Sequence, residues 1–210
     1  MDIYKMSLWQ VFMAGGPLMW PILLCSVVAA AVIIEKILYL QKAQINAQDF
    51  LSKILERMKH NQVKDALEIC DKTVSPISNL MKAGILKYDR PKAQITEAIV
   101  DASLHEVPLL EKNLSILATL AHISPLLGLL GTVTGMITCF QVIQAKSAAF
   151  QPVYPGDLAG GIWKALLTTV AGLMVAIPSF VAYNYLVNRV NTFILEMEKA
   201  SSELVNSLTE

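Results

Sequence analysis

Three long stretches of this chain contain no charged residue: Pro17 to Ile34, Asn113 to Ala145 and Ala165 to Asn188, or 18, 33 and 24 residues. Charge is scarce throughout, at 16% of 210 residues against about 25% in an ordinary soluble domain. That scarcity excludes a water-facing surface over much of the molecule. About 20 apolar residues at ~1.5 Å rise cross a hydrocarbon core ~30 Å thick, so the three stretches read as membrane-spanning helices. The net charge of zero leaves no footprint for nucleic acid. Three cysteines, Cys25, Cys70 and Cys139, fit no metal or disulfide spacing. No nucleophile–base pair, His/Cys cluster or glycine-rich phosphate loop is present, which excludes an enzyme reading and calls for no cofactor or metal. The histidines are scattered, and His122 reads as a packed or interfacial residue.

What is present organises around the spans. Residues 1–16, MDIYKMSLWQVFMAGG, lack the basic cluster of a cleaved signal. They read as an outer interfacial helix anchored by Tyr4, Trp9 and Phe12. The first span is placed at 17–40, a helical loop at 41–112, the second span at 113–145, a connector at 146–162, the third span at 163–188 and a helical tail at 189–210. The loop carries eleven of the seventeen Lys and Arg residues, whereas the leader has only Lys5 and the connector only Lys146. The positive-inside rule therefore puts loop and C-terminus in the cytoplasm and the N-terminus outside. Within the loop, Phe50, Ile54, Met58 and Ile77, Leu80, Met81, Ile85 recur at helical spacing. A further helix after Asp89-Arg90-Pro91 is expected to run toward the second span, bent at Pro108. Glu35-Lys36 reads as a charged stop at the headgroups. The fold class is an all-α integral membrane protein with three transmembrane helices and long helical cytoplasmic extensions.

The second and third spans also lack acids, with no Asp or Glu from Pro125 to Gly156 or from Gly161 to Leu195. In their place are stripes of small and hydroxyl residues. Ser124, Gly128, Thr132 and Gly135 fall at helical spacing, with Gly131 beside them; Ala165, Thr169, Gly172, Ala176, Ser179 and Tyr183 do the same on the third span. Small residues let helices approach closely, so plain packing explains such stripes, as in a scaffold protein. The mid-span threonines and the prolines Pro125 and Pro178 point further, since in lipid they persist only facing protein or a wet cavity. Ion paths through membranes usually carry a carboxylate. A hydroxyl-lined path without one reads as half of a device, completed by an acid from another subunit.

The segments GGPLMWPILLCSVVAAAVIIEKILYL (15–40), SPLLGLLGTVTGMITCF (124–140) and GGIWKALLTTVAGLMVAIPSFVAYN (160–184) resemble the MotA/TolQ/ExbB family, most closely its ExbB/TolQ branch. The resemblance covers nearly the whole chain in order and spacing. It implies an ion-driven motor of the bacterial inner membrane, in which a homo-oligomeric ring of five such chains surrounds a dimer of single-span ExbD/TolR-like subunits. The partner helices carry the ion-binding aspartate, and a TonB/TolA-like protein receives the work. By motif, Thr132 and Thr169 face that aspartate, and Pro125 and Pro178 shape their helices. The flagellar branch, with four spans and a larger cytoplasmic domain, fits less well. Two positions depart from the pattern. Lys164 stands where relatives commonly have an acid, and is expected to snorkel to the outer interface. Thr168-Thr169 resembles the pair in sodium-driven members, so the coupling ion is expected to be H+ with Na+ as the alternative.

Overall fold

The computed structural model describes residues 7–209. Among the described residues eight α-helices follow in order: α1 (Leu8–Ala14), α2 (Met19–Ala43), α3 (Ala47–Lys59), α4 (Val63–Lys72), α5 (Pro76–Ile85), α6 (Lys92–Glu111), α7 (Leu114–Ala148) and α8 (Pro155–Thr209). No strand occurs among the described residues. Stretches within 19–59, 92–148 and 155–208 are long and apolar enough to cross a membrane. The chain divides into two compact units, one holding residues up to 33 with 114–184, the other holding 34–113 with 185 onward.

The first unit is built inside-out. On α7 the buried positions are Leu114, Leu117, Ala121, Ser124, Gly128, Gly131, Gly135 and Cys139, a single stripe at helical spacing that is mostly small. On α8 they are Ala165, Thr168, Gly172, Ala176 and Ser179. The large apolar residues, among them Leu126, Leu129, Met174 and Ile177, lie outside and exposed. Water would not tolerate such a surface, whereas lipid solvates it and leaves close van der Waals contact between small residues as the cohesive force.

Both prolines of these helices are accommodated alike. Pro125 and Pro178 stay inside α7 and α8. Each is flanked by a serine whose hydroxyl donates to a carbonyl one turn back, Ser124 to Leu120 and Ser179 to Val175, both at 2.7 Å. The carbonyls that proline leaves without an amide donor are those of Ala121 and Met174, each one residue away, so the serines bond back to their own helices beside each proline rather than replacing the lost donor.

The second unit has the opposite polarity, with large side chains inside. Ile54, Ile77, Met81, Ile85, Ile95, Leu110, Leu186, Val190, Met197 and Leu204 are buried, and charged residues line the outside. Helices α3, α4, α5 and α6 pack in sequence. Asn46 caps α3 by accepting from the Asp49 amide at 3.2 Å, and Pro76 occupies the first turn of α5, where no amide is needed.

Two expectations are refined here. Pro108 lies within α6, and the break before α7 falls later, at Lys112–Asn113, where Asn113 adopts φ +65. Pro108 deprives the Leu104 carbonyl of its donor, and Leu104 is an exposed position where another donor can reach it. Lys36 is more than a charged stop. It is 1% exposed, and its ammonium donates to the carbonyls of Leu109 and Leu110, each at 3.1 Å. These carbonyls belong to the last turn of α6, where helix geometry leaves acceptors unpaired and the dipole favours a cation. Glu35 completes the clasp by accepting from the Asn113 side-chain amide at 2.7 Å. Tyr4 lies outside the described residues; Trp9 and Phe12 lie on α1 and stack at 5.7 Å between ring centroids.

Candidate ion-pathway site

The seam between α7 and α8 is set by backbone proximity. A methyl group added at Gly131 would fall inside the Thr168 side chain; at Gly128 it would meet the Thr169 Cα at 3.0 Å, and at Gly135 the Gly161 carbonyl at 2.7 Å. Gly172 meets the Ser124 carbonyl in the same way. The sequence-derived stripes are thus brought together face to face within one chain, with Thr132, Thr169 and Tyr183 only half-buried at their edges.

The three threonines separate into two kinds. Thr168 is 0% exposed, wedged against Gly131, and its hydroxyl donates back to the carbonyls of Ala165 at 2.8 Å and Lys164 at 3.2 Å. Thr169 is half-buried and its hydroxyl reaches across the seam to the Gly128 carbonyl at 3.2 Å, as well as back to Ala165. Thr132, one turn beyond Gly128, is also half-buried and donates to the Leu129 carbonyl at 2.6 Å. A threonine hydroxyl carries two lone pairs beside its one proton. Thr132 and Thr169 therefore retain acceptor capacity and some accessible surface, whereas Thr168 is enclosed.

Among the described residues no carboxylate enters this seam. The nearest in sequence is Asp157, which pairs with Lys146, accepts from the Tyr154 amide at 2.8 Å and lies next to the turn joining the two helices. Its neighbours hold that carboxyl below the ordinary aspartate range, first through the Lys146 hydrogen bond and then through the Tyr154 amide. Among the described residues no cluster of His, Cys, Asp and Glu could hold a metal. His122 donates from Nδ1 to the Ala118 carbonyl, 2.7 Å away, and meets Phe180 edge-on. Lys164, half-buried, runs its stem over the backbone of Gly16, whose φ is +78.

Sequence reasoning missed three of these arrangements: the Lys36–Glu35 clasp, the seat of Lys164 on Gly16 and the Lys146–Asp157 latch. Only the last had a local signal, a carboxylate in the first turn after Tyr154-Pro155, where it can cap the new helix.

Helices long and apolar enough to cross a bilayer, with small residues and hydroxyls on their shared face and large apolar residues outside, define a multi-pass membrane protein. The chain belongs to the MotA/TolQ/ExbB proton channel family, whose model matches residues 72–199. It is 26% identical over 190 residues to a putative biopolymer transport protein ExbB homolog of Methanothermobacter thermautotrophicus, covering 90% of this chain and 66% of that one. With the Tol-Pal system protein TolQ of Haemophilus influenzae it shares 31% identity over 178 residues, 79% of this chain and 76% of the other. Similarity extends to a biopolymer transport protein of Vibrio cholerae, exbB1, at 27% over 176 residues, 82% of this chain and 76% of that protein. Membership places the chain among channel proteins rather than in an enzyme family.

Proposed function

We propose that this chain is the ring subunit of an inner-membrane motor of the ExbB/TolQ type, coupling the proton motive force to work on a partner beyond the membrane. The observation that carries the reading is the α7–α8 seam: two half-buried hydroxyls, Thr132 and Thr169, in spans without a carboxylate. A proton path needs a titratable group, and an ExbD/TolR-like helix bearing an aspartate would supply it. Several copies, five by resemblance, would then surround a pair of such helices. The N-terminus would lie in the periplasm and the C-terminus in the cytoplasm, with a TonB/TolA-like protein receiving the work. One charge crossing ~100 mV releases about 2.3 kcal/mol, so each working event would consume several protons.

The competing reading is a scaffold in which the stripes serve packing alone, and the fit of Thr168 against Gly131 favours it for that residue. Valine replacements at Thr132 and Thr169 keep shape and remove the hydroxyl. In cells carrying the partner subunits, each is expected to abolish energised function while assembly persists, with serine restoring it. Full activity of both valine variants would return the seam to packing only.

A further inference from the structure

We propose that Lys164, with Trp9 and Trp20, forms a seat for the phosphate of a membrane phospholipid at the Gly16 end of the first unit. The site is assembled from distant parts of the chain. The Lys164 stem crosses the turn between α1 and α2, and its ammonium ends over Gly16. A methyl group added there would clash with that side chain, and the backbone at φ +78 already favours glycine, so the turn is shaped to let the lysine pass. Among the described residues the ammonium has neither a carboxylate nor a hydrogen-bond acceptor. Lys164 is only half-buried, so at the membrane rim its ammonium is open to an anion from outside.

The surroundings identify its source. Trp9 and Trp20 are 63% and 55% exposed, and Phe12 bridges them, stacked on Trp9 and edge-on to Trp20 at 5.1 Å. Neither indole N–H has an acceptor among the described residues, and the segment from Trp9 to Trp20, over which Lys164 lies at Gly16, contains no acid. Helix α2 in this unit buries only Met19, Ile22, Cys25, Ala29 and Val32, one stripe, and leaves Leu23, Leu24 and Val27 exposed. Its remaining circumference is lipid-facing, and Trp20 sits at the end of that face. Aromatic rings with free N–H groups collect at the headgroup level, where phosphate and ester oxygens accept. Lys164 then satisfies its charge at the lipid rim and stays out of a cation path. The inference needs only the membrane-spanning character of the chain, so it stands apart from the proposed motor activity.

The test is native mass spectrometry of the full-length detergent-purified protein during titration with phosphatidylglycerol. Wild type and Lys164→Arg should retain phospholipid. Lys164→Met should lose affinity by roughly tenfold or more, as expected for removing a charge-assisted hydrogen bond. Gly16→Ala, which displaces the lysine but also strains the φ +78 turn, should show the same loss, and a thermal unfolding midpoint of Lys164→Met equal to that of wild type guards against a folding artefact. Phosphate-free galactolipid should not be retained, and excess inorganic phosphate should not displace the phospholipid. Equal retention by both variants overturns the proposal. So does displacement by inorganic phosphate, which would make this a free-anion site. Zero-length carbodiimide coupling of Lys164 to a carboxylate of another chain would assign the seat to a protein partner instead.

Discussion

Lys36 shows how a single residue can look like a surface charge and act as a fastener. Its ammonium occupies two carbonyls that helix geometry leaves without donors, and the adjacent Glu35 holds Asn113 in its left-handed conformation. Replacing Lys36 by methionine keeps the stem's volume and strands both carbonyls. The expected loss is roughly 2–4 kcal/mol, read as earlier thermal unfolding and faster amide exchange across 109–115. Gly131 is the complementary case, where the missing side chain matters. Gly131→Ala puts a methyl into Thr168, at an expected cost of about 1–3 kcal/mol from overpacking. Gly131→Ala with Thr168→Ala should recover much of that loss, since the second change removes the opposing atoms. A double variant no better than the single one would show that the two residues do not meet.

At the scale of elements, the connection between α7 and α8 is a short turn at 149–154 tied by Lys146, Asp157 and the Tyr154 amide. Because its partners depress the Asp157 pKa, the latch contributes above the ordinary aspartate value near 3.8 and is lost as pH falls through the lowered one. Amide exchange at 153–157, corrected for intrinsic rate, should stay flat from neutral pH down to the ordinary aspartate range and rise only below it. Asp157→Asn should raise it at every pH; a rise in wild type around pH 6 would contradict the assignment. The spans themselves were legible because lipid demands long uncharged runs, and residues 114–145 supply one. The seam was legible too, since Gly128, Gly131 and Gly135 can repeat on one face only for close approach. The clasp was not, because Lys36 and Leu109 lie far apart in sequence and nothing local marks their meeting. Nor was the place of the break before α7: proline is the usual breaker, yet Pro108 lies inside α6 and Asn113 turns the chain. Between the two threonines, alternation alone could not say which is enclosed, because they are neighbours on one helix and only the tertiary contact with Gly131 separates them.

For the whole molecule, the placement of those threonines bears on which ion does the work. A dehydrated alkali cation needs several oxygen ligands at once, whereas a proton needs one titratable group and a hydrogen-bonding neighbour. Thr168 would be the extra ligand for sodium, yet it is fully enclosed and its hydroxyl is directed to carbonyls of its own helix. That leaves the hydroxyls of Thr132 and Thr169, each already donating to a carbonyl, and no acid in the spans. This set suits hydrogen bonding around a partner's carboxyl group and is thin for sodium. The proton reading therefore predicts that the assembled complex with its partner subunits, placed in cells or vesicles under a proton gradient, keeps full energised activity when sodium is removed. A sodium gradient alone should drive nothing, and Thr168→Ala should leave the ion preference unchanged while loosening the seam. Loss of activity on sodium removal, restored by sodium and abolished again by Thr168→Ala, would show that the enclosed hydroxyl turns toward the path in the assembled ring and coordinates the ion there.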